Sequence, residues 1–166
     1  MRWEVPCDRM GVLFYEKGRG VMNEQLKSYQ NEHMAEMLEI LRIPGERLRR
    51  YGSSFTVALF YSEERLEERE ARTMIRLSDS FERIEENLLF LVFDGTGIEG
   101  GIVAAEKLLS NMRRRSGQTI YTAVKEGIPG DSGTLLIHQL FNILEFAVEH
   151  GHRNEVLDWS YLNGVY

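Results

Sequence analysis

Residues Phe55-Thr56-Val57-Ala58-Leu59-Phe60-Tyr61 are apolar or β-branched without interruption. A strand with one wet face alternates apolar and polar side chains, so a run without alternation predicts a strand buried on both faces. Such a strand needs cover on each side. The chain must therefore build a layered domain with helices packed on a sheet, and 166 residues suffice for one core of that kind.

The remaining segments supply the layers. From Asn23, Leu26, Met34, Met37, Leu38 and Leu41 fall near a 3.6-residue period and predict a helix. Pro44-Gly45 marks its interruption, followed by a short helical turn from Glu46 to Tyr51 that stops at Gly52. Ahead of the helix, Gly11-Val12-Leu13-Phe14-Tyr15 has the composition of a short strand, with turn formers Gly18 and Gly20 behind it. Glu and Arg at ion-pair spacing after Ser62 predict a charged helix reaching about Ser78. Phe81 to Glu85 and Leu88 to Phe93 form a predicted hairpin around Glu86-Asn87. A helix from Ile98 to Met112, a strand from Thr119 to Val124, an amphipathic helix from Gly133 to His150 capped by Gly151, and a last strand at Glu155-Val156-Leu157 complete the pattern. An aromatic tail, Trp159, Tyr161 and Tyr166, follows. The order β-α-β-β-α-β with a helical N-terminal extension predicts an α+β domain of ferredoxin-like topology.

Charge and composition exclude several function classes. A net charge of −6 opposes the phosphate attraction that drives binding to long nucleic acids, so no polynucleotide partner is expected. Arg113-Arg114-Arg115 is instead the basic end of a helix. The apolar runs are far shorter than the roughly 20 residues of a spanning helix, so no membrane insertion is expected. With the single cysteine, Cys7, and no apolar leader after Arg2, this points to a cytoplasmic protein. His33, His150 and His152 supply too few convergent ligands for a zinc site, and neither a metal nor a cofactor is expected. Gly95-Thr96-Gly97-Ile98-Glu99-Gly100 matches a dinucleotide fingerprint, but the preceding hairpin and the lack of further parallel repeats favour a plain strand-to-helix turn. Gly130-Asp131-Ser132-Gly133 echoes a protease nucleophile motif, yet Asp131 and Ser132 are better explained as helix-capping residues.

From Glu39 to Asp158 the segments also resemble, in order and spacing, the GGDEF family of bacterial diguanylate cyclases. The resemblance rests on Arg49-Arg50-Tyr51-Gly52 before the first strand, on Arg76-Leu77-Ser78-Asp79 as the family's RxxD, and on Arg83 before the pentapeptide Glu85-Glu86-Asn87-Leu88-Leu89 at the signature hairpin. Gly100 to Leu109 resembles the next helix, and Gly151-His152-Arg153-Asn154-Glu155-Val156 the terminal G-R-N-x-V pattern. It implies the nucleotidyl-cyclase palm.

The departures imply a degenerate member without catalytic residues. Glu85 and Glu86 stand where the family's glycines admit the substrate phosphates, and two carboxylates there crowd and repel a triphosphate. Asn87 replaces an acidic metal ligand, and Tyr61 replaces the carboxylate at the end of the first strand, with Glu63 nearby. Only residues 53–75 separate Gly52 from Arg76, which omits about one helix of the family architecture, guanine-reading residues included. What the resemblance leaves is the product site: Arg76 and Asp79 would bind cyclic di-GMP, with Arg72 or Arg83 as an additional arginine. The expectation is a cyclic di-GMP receptor acting on a protein partner or as a homodimer, with residues 1–35 as an N-terminal extension and 36–166 as the GGDEF-like domain. The alternative is a scaffold or dimerisation domain that binds a protein partner without nucleotide.

Overall fold

A computed structural model of the protein describes residues 5–163, and side chains within residues 18–163. In chain order the elements are α1 (Val5–Tyr51), β1 (Phe55–Tyr61), α2 (Ala71–Met74), β2 (Ser80–Glu85), β3 (Leu88–Asp94), α3 (Ile98–Ser116), β4 (Tyr121–Glu126), α4 (Gly133–Glu149) and β5 (Val156–Leu157), with a 3-10 turn over Trp159–Tyr161. The sheet order is β2-β3-β1-β4-β5. Neighbours are antiparallel except β4 and β5, which run parallel. The first four strands have the ferredoxin-like arrangement, and α4 with β5 extends the sheet by one strand.

The unbroken apolar run becomes the central strand, and every residue of β1 is buried. Val57, Leu59 and Tyr61, with Leu88, Phe90 and Val92 of β3, face α1 and α4. Ala58 and Phe60, with Leu89, Leu91 and Phe93, face α3 and the segment carrying Leu66 and Ala71. α3 comes close because of Gly101: a Cβ there would stand 2.4 Å from Thr56 Cγ2. Ser132 caps α4 by accepting from Leu135 N at 3.1 Å. No helix among the described residues is long and apolar enough to cross a membrane.

The structure corrects four expectations. Gly11–Tyr15 is part of α1 and not a strand. An isolated strand has no partner for its backbone groups, whereas a helix continued from Gly18 onward satisfies them locally. Pro44 does not interrupt α1, which runs unbroken through it to Tyr51. An interior proline costs about 3 kcal/mol. Here the buried Pro44 ring and the packing of Leu41 and Leu48 on either side offset that loss. The charged stretch after Ser62 holds only α2, because Leu66 is drawn fully into the core and its N–H bonds to Glu86 O at 2.9 Å. Finally, β4 begins at Tyr121 and not Thr119, since Asn154 takes both backbone groups of Ile120, at 2.8 and 3.0 Å. Tyr166 of the aromatic tail lies outside the described residues.

Candidate functional site

Two places in the fold correspond to the residues singled out in the sequence. The first is the β2–β3 hairpin. Its turn is fastened to α1 by a chain of hydrogen bonds. Asn87, 7% exposed, accepts from the Tyr29 hydroxyl at 2.9 Å and donates to Gln25 Oε1 at 3.1 Å and to Ser62 O at 2.9 Å. Tyr61, fully buried, donates its hydroxyl to the same Gln25 oxygen at 2.7 Å. Gln25 and Tyr29 lie one turn apart on α1, which puts both on the face that meets the hairpin. Burial raises the hydroxyl pKa of Tyr61 first, and the charge of Glu63 adds to it, so the phenol stays protonated.

The two glutamates of the hairpin are paired. Glu85 Oε1 meets His33 Nε2 at 2.7 Å, and Glu86 forms an ion pair with Arg65. His33 Nδ1 contacts Glu36 Oε2 at 3.2 Å. Burial pulls the His33 pKa down, but the hydrogen bonds of Glu85 and Glu36 outweigh it and leave the imidazole above its ordinary value.

The second place is the loop before β2. Asp79 is almost wholly buried, its side chain 4% exposed, and accepts from Arg76 N at 3.0 Å, Arg76 Nη2 at 3.1 Å and Asp94 N at 3.1 Å. Arg76 also donates through Nη2 to Asp94 O at 2.6 Å and to Thr96 Oγ1 at 2.7 Å. Its side chain is nevertheless 59% exposed, and Nη1 has no hydrogen-bond partner among the described residues. Beside it lies a cleft of about 280 Å3 floored by Ile75, Phe93, Val103 and Leu108, with Lys107 of α3 also lining it.

Arg76 and Asp79 are thus brought together, as their spacing implies. Arg72 and Arg83 are elsewhere. Arg83 donates to Glu68 Oε1 at 3.2 Å, Glu86 O at 2.7 Å and Leu66 O at 2.7 Å, and so braces the segment between β1 and β2. Arg72 pairs with the same glutamate at 3.2 Å and lies over the Phe81 ring at 4.7 Å. Neither lines the cleft. Lys107 and Thr96 do: in the sequence Thr96 stands only within the Gly95–Gly100 turn, and Lys107 reads only as one more charge on the wet side of α3.

No protein-family model matches the chain, and no curated protein does. Solved structures do. The GGDEF domain of DgcB from Caulobacter crescentus, solved in complex with c-di-GMP, superposes with a TM-score of 0.62 at 13% identity, covering 74% of this chain and 85% of that one. The fold is that of GGDEF domains. Diguanylate cyclase SiaD from Pseudomonas aeruginosa, solved with its activator SiaC, gives a TM-score of 0.62 at 14% identity over 93% of this chain and 75% of that one. The active GGEEF domain of a Vibrio cholerae diguanylate cyclase gives 0.59 at 13% identity over 75% and 95%.

Proposed function

We propose that this GGDEF-like domain is catalytically inactive and serves as a cyclic di-GMP receptor, binding the ligand at the cleft beside Arg76 and passing that state to a protein partner. The observation that carries this reading is the Arg76 guanidinium, fixed on one side by Asp79, Asp94 and Thr96 while Nη1 remains available at the mouth of a cleft that Lys107 also lines. A guanidinium held in this way loses little freedom when it meets a phosphate or a guanine edge. The cleft lies just below the roughly 300–1,000 Å3 of sites for drug-sized ligands. At about 280 Å3 it takes one base on its apolar floor and leaves the phosphates to the two cations. Asp79 acts as the residue that positions Arg76.

Catalysis is argued against by the hairpin end of the sheet. A divalent metal held in the family's manner does not fit there: the Tyr61 phenol is buried and donates to Gln25, and Asn87 is engaged in three internal hydrogen bonds. Glu85 and Glu86 put two carboxylates where the triphosphate would pass. The β1–β2 connection, with α2 as its sole helix, has no second helix to hold a guanine. Phosphoryl transfer depends on positioning and metal electrostatics, and little of either is left.

A second reading, a scaffold that binds protein without nucleotide, is favoured by the saturation of Asp79 and by exposed apolar side chains: Val103 and Met74, which line the cleft, are 50% and 44% exposed, and Leu77, next to Arg76 in the chain, is fully exposed. Thermal unfolding with and without cyclic di-GMP separates the two. Receptor function predicts a ligand-dependent rise in Tm for the wild type and a smaller one for Arg76→Ala at the same ligand concentration. An unchanged wild-type Tm at saturating ligand supports the scaffold.

A further inference from the structure

The contact between α1 and the hairpin gathers more negative charge than it neutralises. Glu32 and His33 are consecutive on α1, Glu36 lies one turn further on, and Glu85 ends β2. One ligand atom from each of Glu32, His33 and Glu85 falls within a common 4.8 Å. Among the described residues no lysine or arginine forms an ion pair with any of the three glutamates. A proton on His33 offsets a single charge. A dication with a neutral imidazole offsets two.

We propose that Glu32, His33 and Glu85 hold a divalent transition-metal ion of the Zn2+ class, which staples α1 to the β2–β3 hairpin. The donor set of one imidazole nitrogen and two carboxylate oxygens suits zinc and its neighbours better than magnesium or calcium, and leaves a fourth position for water. Glu36 stands on Nδ1 of His33 at 3.2 Å, where it accepts the Nδ1 proton and presents the Nε2 lone pair toward Glu85. Carboxylates hold metal-binding histidines in this way as an outer shell. The Ser28 hydroxyl steadies Glu32 by donating to it at 2.8 Å. Tetrahedral bonds of about 2.0–2.1 Å separate ligand atoms by about 3.4 Å. The 2.7 Å between His33 Nε2 and Glu85 Oε1 therefore opens by under 1 Å when the ion replaces the proton, a side-chain adjustment. Glu85 comes to His33 from 52 residues away, so no local spacing in the sequence announces the site. It is separate from the cyclic di-GMP cleft and independent of that reading.

The test uses the tag-free, chelator-treated 166-residue chain with Cys7 alkylated, titrated with Zn2+ and, separately, Mg2+ by calorimetry and thermal unfolding, with Co2+ absorption as a geometry readout. The expected result is one equivalent of Zn2+ that raises Tm, no response to Mg2+, and intense Co2+ visible bands of a tetrahedral site. Affinity falls at least tenfold in His33→Gln and in Glu85→Gln, which can still hydrogen-bond His33 and keeps the fold, and is unchanged in the His150→Gln, His152→Gln double variant. The absence of a saturable Zn2+ site, or wild-type affinity in His33→Gln, overturns the proposal.

Discussion

Asn87 accepts a hydrogen bond from Tyr29 at 2.9 Å across the gap between the hairpin turn and the long N-terminal helix. Two further bonds leave Asn87, and all three close a buried network that includes Tyr61. Truncating Asn87 to Ala strands the Tyr29 hydroxyl and the Ser62 carbonyl together, while Gln25 Oε1 keeps the Tyr61 hydroxyl as its donor. Stranded buried groups cost about 1–3 kcal/mol, so urea unfolding of Asn87→Ala should show a loss at the upper end of that range. Tyr29→Phe should lose about 1 kcal/mol and couple to Asn87→Ala in a double-mutant cycle.

On the proposed reading, glycines at positions 85 and 86 should not by themselves create cyclase activity. Glu85→Gly with Glu86→Gly clears the phosphate path but leaves Tyr61 buried at the end of β1 and Asn87 in its network. Incubation with GTP and Mg2+, followed by chromatography, should give no product above a protein-free control. Turnover in this variant would mean that the hairpin glutamates alone silence the domain.

Asp79 and Arg76 should separate by readout. Asp79 is buried and collects hydrogen bonds from two segments, so Asp79→Ala should lose about 2–3 kcal/mol of stability. The Arg76 side chain is mostly exposed, and Arg76→Ala should cost no more than about 1 kcal/mol. Guanidinium chloride unfolding of the two variants checks the order.

Lys125 gives a pH signature. It is 5% exposed, with its ammonium 5.7 Å above the Trp159 ring, and burial lowers its pKa against the opposing pull of Asp131 and Glu126. Between the lowered folded pKa and the unfolded value the unfolded chain binds more protons, so stability rises with pH across that window. Below it the burial penalty of the charge is complete. Lys125→Met should therefore stabilise the fold by about 1 kcal/mol near neutral pH, with the gain shrinking as pH climbs toward the ordinary lysine value of 10.5. A gain that stays constant with pH contradicts this account.

What could be read in the sequence is what depends on local period. The alternation-free Phe55–Tyr61 run, the hairpin around Glu86-Asn87 and the stripes of the last two helices each carry their own signal, and each forms nearly where expected. Errors arose where a local signal met a distant constraint. Gly18, Gly20 and Pro44-Gly45 look like stops, yet a helix anchored by Met22, Leu26, Met37 and Leu41 runs through them. Glu and Arg spacing after Ser62 looks helical, yet Leu66 and the three bonds of Arg83 pin that segment to the sheet. At the site the Arg76–Asp79 pair was legible because both members lie in one turn. Lys107 and the meeting of His33 with Glu85 were not, because they depend on how α3 and α1 pack.

The central claim is that Arg76 borders a cyclic di-GMP site on a domain without cyclase activity. Calorimetric titration of cyclic di-GMP into the wild type and into Arg76→Ala tests it most directly. The account predicts saturable heat for the wild type with a Kd no weaker than roughly tens of micromolar, about −6 kcal/mol or better, and at least a tenfold loss for Arg76→Ala. The absence of saturable heat in the wild type, or equal affinity in the variant, contradicts it.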